Sequence, residues 1–478
     1  MAPVSALNYS TNVARARVTR LRPPLRRGWW TSAVGVAVWS TNLLVVALWV
    51  SNDGISTLLL GYGSALSSTG RLLALVSSNL LLLQVFAMAR IPWAERALGQ
   101  DKIIRWHRLF GFTSLNLMIA HVVATTLGYA ALEKTSFWGE LWSLVTTAPG
   151  MLLATAATAL FVLIAVTSVR AARRRLRFES WHLLHLYAYL GAGLALPHQL
   201  WTGSDFLFSP IASAYWWGIY LLALTCVLLF RVAVPIAITL RHRLKVTRVV
   251  SEGPGVVSVY VSGPRLATLS VAAGQFFVWR FYTGAGWTRG HPLSLSAAPH
   301  SGALRITLAT TGDDGDRLAQ LAPGTAVLIE GPYGRLTLDT QTRPGLIVIG
   351  NGLGVTPLVA LLQDAASTRK TALRPATFVR RARKSTGQPL QADIDRLISS
   401  GDITLIDLVG PRSRTGTSWL PAQLGHLPGR LALRQMLPGL LDSDIYLCGV
   451  GPWIEAVADD LRAAGVPEDA LHIESFAW

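Results

Sequence analysis

Five histidines fall inside stretches apolar enough for a lipid bilayer: His107, His121, His182, His185 and His198. An imidazole there loses its hydration, so it either hydrogen-bonds a neighbouring helix or holds a metal. His107 and His121 are fourteen residues apart. That is close to four helical turns, so both rings leave nearly the same side of a helix, about 21 Å apart along its axis. His185 and His198 are thirteen apart, which in an ideal helix turns them roughly 140° away from a common face. Pro197 supplies the irregularity needed to bring both inward, because it removes a backbone bond. Two histidines at each depth suit bis-imidazole ligation of two haems. Such ligation fills both axial positions of the iron and favours electron transfer over oxygen binding at the metal. His107 would pair with His185 or His182 near the cytoplasmic leaflet, and His121 with His198 near the outer one. Arg105 and Arg108 lie where inner haem propionates would end and Arg71 where an outer one would, although lipid headgroups would serve them equally well.

A second set of residues lies in the C-terminal half. HPLSLSAAP, from His291 to Pro299, closes an apolar strand. GNGLGVTP, from Gly350 to Pro357, follows the strand GLIVIG and opens a helix. Its glycines let the backbone approach a pyrophosphate, whose charge the helix N-terminus favours. YLCGVGP ends a later strand, and ESFAW closes the chain with aromatics of a shape to cover a flavin.

Elements of two kinds must position these groups. The chain has 478 residues, 51% hydrophobic and only 14% charged, a balance that points to membrane spans. Six windows of about twenty apolar residues stand out: 29–50, 72–89, 109–130, 151–169, 181–200 and 211–238. The basic residues gather on alternate loops, in Arg15 to Arg27, Arg90 to Arg105, Arg170 to Arg177 and Arg241 to Lys245. This places the N- and C-termini in the cytoplasm and the bundle in the plasma (inner) membrane. It also accounts for the net charge of +17. No basic recognition helix or zinc pattern argues for nucleic acid. Two cysteines, Cys226 and Cys448, imply no disulfide framework. Beyond about Leu240 short β-rich runs predict a small antiparallel β-barrel, and from about Arg343 strands alternate with helices as in an α/β parallel sheet. The expected organisation is a basic tail (1–28), a six-span membrane α-helical bundle (29–240), a β-barrel domain (241–340) and a nucleotide-binding domain (341–478).

Taken together, HPLS, GPYG, GNGLGVTP, Cys448-Gly449, the terminal E-x-F and the histidine spacings resemble the ferric reductase/NADPH oxidase-type transmembrane flavocytochromes b. In these a haem-bearing bundle is fused to a ferredoxin–NADP reductase-like module. The resemblance implies roles. His291, Pro292 and Ser294 would line FAD, with Gly331 and Pro332 of GPYG beside them. Gly350, Gly352, Gly354, Thr356 and Pro357 would carry the nicotinamide nucleotide. Cys448 and Gly449 would lie by the nicotinamide and the flavin. Glu474 belongs to the terminal motif, and Phe476 rather than Trp478 would stack on the isoalloxazine. The thirteen-residue spacing of the family selects His185 over His182. Arg381 and Arg383, after the second parallel strand, would read a 2′-phosphate, favouring NADPH over NADH. One departure concerns FAD: Ala309 stands where a basic residue is usual and Gly315 where a threonine is, with Asp313, Asp314 and Asp316 nearby. Weak FAD retention is expected, unless Arg289, Arg317 or backbone amides near Gly315 compensate. The implied activity carries electrons from NADPH through FAD and two haem b groups to O2 or a ferric chelate outside. Two rivals remain at this level. One is electron delivery to an extracytoplasmic partner protein. The other is a non-enzymatic, nucleotide-regulated transporter or sensor.

Overall fold

The computed structural model describes residues 29–169, 178–203, 209–284, 287–300, 302–310, 315–368, 376–414 and 416–475. The chain divides into a helical unit ending at Val234 and a second unit running from Pro235 onward.

In the helical unit the main helices are α1 (Trp29–Ser51), α2 (Tyr62–Met88), α3 (Gln100–Glu133), α4 (Phe137–Thr147), α5 (Met151–Ser168), α6 (Phe178–Thr202) and α7 (Pro210–Val227). Large apolar side chains such as Trp39, Leu43, Phe112, Leu152 and Ile211 point outward, as suits a lipid solvent. Without a hydrophobic drive between helices in lipid, small residues bring backbones together. At Gly63, Gly70 and Gly128 the α2 and α3 backbones approach so closely that an added Cβ would overlap the neighbour. The bundle packs chiefly as α2 on α3 and α5 on α6. A further apolar cluster joins α1, α2 and α7 through Val45, Trp49, Leu75, Leu82 and Trp216.

Five of the described helices are long and apolar enough to cross a membrane, over Ser32–Ser51, Tyr62–Met88, Lys102–Glu133, Met151–Ser168 and Pro210–His242. The expected fifth span, 181–200, does form a helix, α6, of 25 residues. It is not among the five, because Glu179, His182, His185, His198 and Gln199 dilute its apolar content. Residues 1–28 and 170–177, which carry much of the basic charge behind the expected orientation, lie outside the described residues.

The second unit opens with six strands: β1 (Lys245–Gly253), β2 (Val256–Ser262), β3 (Phe276–Phe281), β4 (His291–Ser294), β5 (Leu304–Ala309) and β6 (Val327–Tyr333). They do not form the continuous barrel expected. Two three-stranded antiparallel sheets, β1-β2-β5 and β4-β3-β6, are linked along their edges by the isolated bridges Lys245–Ala326 and Leu295–Ile306. Their inner faces share one apolar core around Val259, Phe277, Trp279, Leu295 and Ile306. Ile238 packs on that core and Thr239 Oγ1 accepts from Ile329 N at 3.4 Å, so residues just before β1 side with this unit.

The remainder is a five-stranded parallel sheet of order β11-β10-β7-β8-β9, made of β7 (Gly345–Asn351), β8 (Ala376–Ala382), β9 (Ile403–Val409), β10 (Ser443–Gly449) and β11 (Leu471–Ser475). Helices α8 (Val355–Thr368), α9 (Gln391–Ser399), α10 (Gly429–Met436) and α11 (Gly451–Ala463) accompany it. The winding reverses between β7 and β10. A crevice beyond the carboxyl ends of strands at such a reversal is where open α/β sheets take their ligands.

Candidate functional site

The structure brings His107 and His185 together, ring centroids 5.8 Å apart. A metal held between two imidazoles needs about 6 Å, from two bonds of about 2 Å and the two ring radii. His182 is exposed whereas His185 is half-buried, so the geometry favours His185. His107 Nδ1 is buried without a hydrogen bond of good geometry, although the Gln84 backbone lies close to the ring. A buried polar atom left so is costly unless a ligand or water meets it.

At the other depth the tautomers can be read. His121 Nδ1 lies 2.9 Å from Gly70 O and 3.2 Å from Thr125 Oγ1. A carbonyl only accepts, so Nδ1 carries the proton and Nε2 of the neutral ring keeps its lone pair. His198 Nδ1 lies 2.8 Å from Thr202 Oγ1, whose own hydrogen goes to His198 O at 2.6 Å. Nδ1 is again the donor and Nε2 again the free base. Anchoring one ring nitrogen to aim the other is what metal-ligating histidines need. The signal is visible in the sequence as His-x-x-x-Thr twice, at 121–125 and 198–202, because positions four apart share a helix face. Among the described residues no group of three or more His, Cys, Asp or Glu is placed to hold a metal. Arg71 donates to Asn52 O at 2.5 Å, and Arg105 and Arg108 are exposed.

In the second unit the topology assembles distant motifs. Cys448 ends β10 in register with Gly350 on one side and Glu474 on the other. Ser294 Oγ donates to Glu474 Oε1 at 3.3 Å. A Cβ at Gly334, the end of GPYG, would come 3.3 Å from Glu474 Oε2. HPLS, GPYG, Cys448-Gly449 and Glu474 therefore meet at one place. His291 and Pro292 are half-buried on β4, and Gly331 and Pro332 share a cis peptide on β6. Gly315 is buried at the start of a five-residue helix. Asp313, Asp314, Phe476 and Trp478 lie outside the described residues.

The loop after β7 shows why glycine is required. Gly352 has φ +53 with open space above it, and a Cβ at Gly354 would overlap Cys448 O and Gly449 Cα. The backbone at Gly352 is thus free to face an anion where α8 begins, in accord with a nucleotide phosphate. Thr356 and Pro357 are buried, and Thr356 Oγ1 donates to Leu353 O at 2.8 Å. Both shape the loop.

Burial pushes the Cys448 thiol well above its ordinary range, and the Glu474 carboxylate adds to the shift. The thiol therefore stays protonated in the folded chain, and its stabilising share is fully present below the ordinary thiol value and is lost as pH rises from there through the raised one. Native protein at about pH 8 is expected to protect Cys448 from iodoacetamide, which needs thiolate, whereas denatured protein is labelled. Peptide mapping measures this, and equal labelling rates in both states would contradict it.

The two candidate 2′-phosphate readers separate. Arg381 is buried, its guanidinium donating to Trp419 O at 3.0 Å, to Leu408 O at 3.1 Å and to Ala382 O. Arg383 is exposed beyond β8, with Lys384 beside it. Arg383→Ala is expected to lower the kcat/KM preference for NADPH over NADH about 10-fold or more, the value of a charge-assisted hydrogen bond. Arg381→Ala should instead destabilise the sheet and leave the preference alone. An unchanged ratio in Arg383→Ala would remove that residue from the site.

Residues that sequence reasoning passed over also matter. Arg305 on β5 reaches Asp393 on α9 at 2.5 Å and Ser296 Oγ at 3.2 Å, all three buried. This pair ties the β-sheets to the parallel sheet. No local pattern announces it, since the partners are 88 residues apart.

Residues 73–196 match the family described as ferric reductase like transmembrane component. The match takes in His107, His121, His182 and His185 and stops before His198. The ferredoxin reductase component of 3-ketosteroid-9-alpha-monooxygenase from Mycolicibacterium smegmatis is 26% identical over 255 residues, 49% of this chain and 65% of that one. The flavohemoprotein of Bordetella pertussis is 26% identical over 247 residues, 48% of this chain and 60% of that one. The chain thus spans less than two thirds of these relatives' length. The solved flavohem-like FAD/NAD binding domain of nitric oxide dioxygenase from Vibrio cholerae O1 biovar El Tor aligns with 49% of this chain and 98% of that one, at 24% identity and TM-score 0.40. The chain therefore joins a ferric reductase-like transmembrane component to a module similar to those of flavohemoproteins and ferredoxin reductases. It is a membrane-embedded protein.

Proposed function

We propose that the chain is an NAD(P)H-dependent oxidoreductase that moves electrons outward across a membrane, from cytosolic NADPH to O2 or ferric iron. The observation that carries this reading is the histidine geometry. One pair of rings stands at iron-spanning separation, and the two outer rings have Nδ1 anchored so that Nε2 is free to ligate. His107 with His185 would hold an inner haem b and His121 with His198 an outer one. Helix α6 serves as the sixth span. Its 25 residues reach about 38 Å, enough for a hydrocarbon core of about 30 Å. FAD, when bound, would accept a hydride and pass on single electrons, which the haems relay.

The chain's own residues do the rest. The loop from Gly350 to Gly354 presents backbone to the nucleotide pyrophosphate at the N-terminus of α8. Ser294, Cys448 and Glu474 converge where the nicotinamide meets the flavin, with the thiol held protonated. His291, Pro292, Gly331 and Pro332 line the flavin side, with Phe476 covering it. Gly315 lies at the flavin phosphates, where the lack of a basic residue at Ala309 weakens retention. Arg383 reads the 2′-phosphate. Residues 1–28, 29–240, 241–340 and 341–478 then form tail, haem bundle, flavin domain and nucleotide domain, with both termini cytoplasmic.

The test is an anaerobic absorbance spectrum of detergent-purified protein supplied with FAD, before and after NADPH. Reduced b-type bands at about two haems per chain support the reading. Folded protein without haem overturns it in favour of a transporter or sensor. Haem reduction without reoxidation by air or a ferric chelate turns the acceptor into a partner protein.

A further inference from the structure

The thirteen-residue spacing leaves a problem that ligation alone does not solve. In a regular helix His198 would face away from the side that carries His185. Pro197 lies inside α6 and removes the bond to the carbonyl four residues earlier, which loosens the turn before it and leaves the turn beyond free to change its rotation. Something must then hold that turn at one rotation.

The neighbouring residue does so. Tyr220 OH, on α7, donates to Gln199 Oε1 at 2.7 Å. Gln199 Nε2 donates to Ser78 Oγ, on α2, at 3.3 Å. Both ends of one amide are therefore gripped, each by a different helix. The backbone of the same turn is packed as well. A Cβ at Gly150 would lie 2.8 Å from His198 N and 2.9 Å from its Cα, so the chain ahead of α5 packs flat against the histidine backbone. The α2 residues Ser77 and Asn79, flanking Ser78, are bonded as well, to Ser114 O at 2.7 Å and to Tyr215 OH at 2.7 Å. The platform that grips Gln199 is itself fixed. A polar clamp in hydrocarbon is specific because its groups find no water to exchange with.

We propose that Gln199 is a positioning residue for His198: held between Ser78 and Tyr220, its amide sets the rotation of the turn beyond Pro197 and so the plane of the outer ligand imidazole. This rests on the haem reading above. Thr202 chooses which nitrogen faces inward, and Gln199 chooses the angle at which it does so.

The test uses the full-length haem-loaded protein with Gln199→Met, which keeps length and loses both bonds, and Tyr220→Phe, which deletes one hydroxyl. Two readouts other than turnover are taken. One is the low-spin ferric electron paramagnetic resonance spectrum, which responds to the angle between ligand planes. The other is the rate at which each haem is lost to an excess of apo-myoglobin. The outer haem is expected to shift its resonance and to leave about 10-fold faster or more, the effect typical of losing a ligand's supporting bond. The inner haem should be unchanged. Loss of the outer haem alone also supports the proposal. Spectra and loss rates matching the unmodified protein in both variants overturn it, as does equal weakening of both haems, which marks a general packing role. Absence of haem from the unmodified protein defeats the underlying reading instead, so the two failures are distinguishable.

Discussion

Alanine at His121 or at His198 is expected to remove one haem of two and to cut electron delivery to an outer-face acceptor about 100-fold or more. Reduction of the flavin by NADPH should continue, because the second unit folds around its own cores. The physical argument is ligand count. A low-spin haem needs both axial imidazoles, and nothing among the described residues offers a third histidine, cysteine or carboxylate at either pair. The anchoring bonds sharpen the prediction. Thr202→Val leaves His198 in place but deletes the acceptor that fixes its tautomer, so it should weaken the outer haem less than His198→Ala does. The measurement is haem per chain by absorbance, beside NADPH-dependent reduction of an artificial flavin acceptor. Full haem content in both histidine variants would sink the assignment. Loss of flavin reduction together with haem would show that the variants had simply failed to fold.

The second large effect concerns Asp393. Alanine there is expected to destabilise the second unit by about 3–5 kcal/mol, because it strands the Arg305 guanidinium at 6% exposure without its carboxylate. Ser296 O and Oγ would remain as neutral partners, too few to replace a charge. Arg396 also reaches Asp393, but it is largely exposed and loses little. Chemical unfolding of the full-length protein in detergent, followed by tryptophan fluorescence, measures the change. A loss below about 1 kcal/mol would show that the pair is dispensable. Arg305→Met combined with Asp393→Leu should cost less than Asp393→Ala alone, since removing both charges leaves neither buried and unpaired.

Much of this was legible in the sequence because it is periodic or local. Histidines fourteen apart on an apolar helix already define two depths on one face. A strand followed by G-x-G-x-G and a helix already defines an anion-facing loop, and the φ of +53 at Gly352 and the crowding at Gly354 are its physical expression. The parallel strands β7 and β10 stand where the apolar runs GLIVIG and DIYLCG place them. The resemblance supplied by HPLS, GPYG and the terminal motif extends the reading to roles, within a chain whose residues 73–196 match a ferric reductase like transmembrane component and about half of which aligns with reductase-type relatives.

Other features were decided only by the tertiary structure. Periodicity does not distinguish His182 from His185, which are one turn apart. Exposure and the 5.8 Å approach to His107 do. Composition does not separate Arg381 from Arg383 either. Three carbonyls around the first and solvent around the second do. A run of β-rich segments reads as a barrel, but these strands form two three-stranded sheets joined by isolated bridges. Ser294 and Glu474 are 180 residues apart and in different sheets, and only the packing of those sheets brings them to 3.3 Å. Gln199 is an ordinary polar residue until Ser78 and Tyr220 close on it. Local pattern encodes which face a side chain leaves. Which distant group waits on that face depends on how strands and helices are ordered in space.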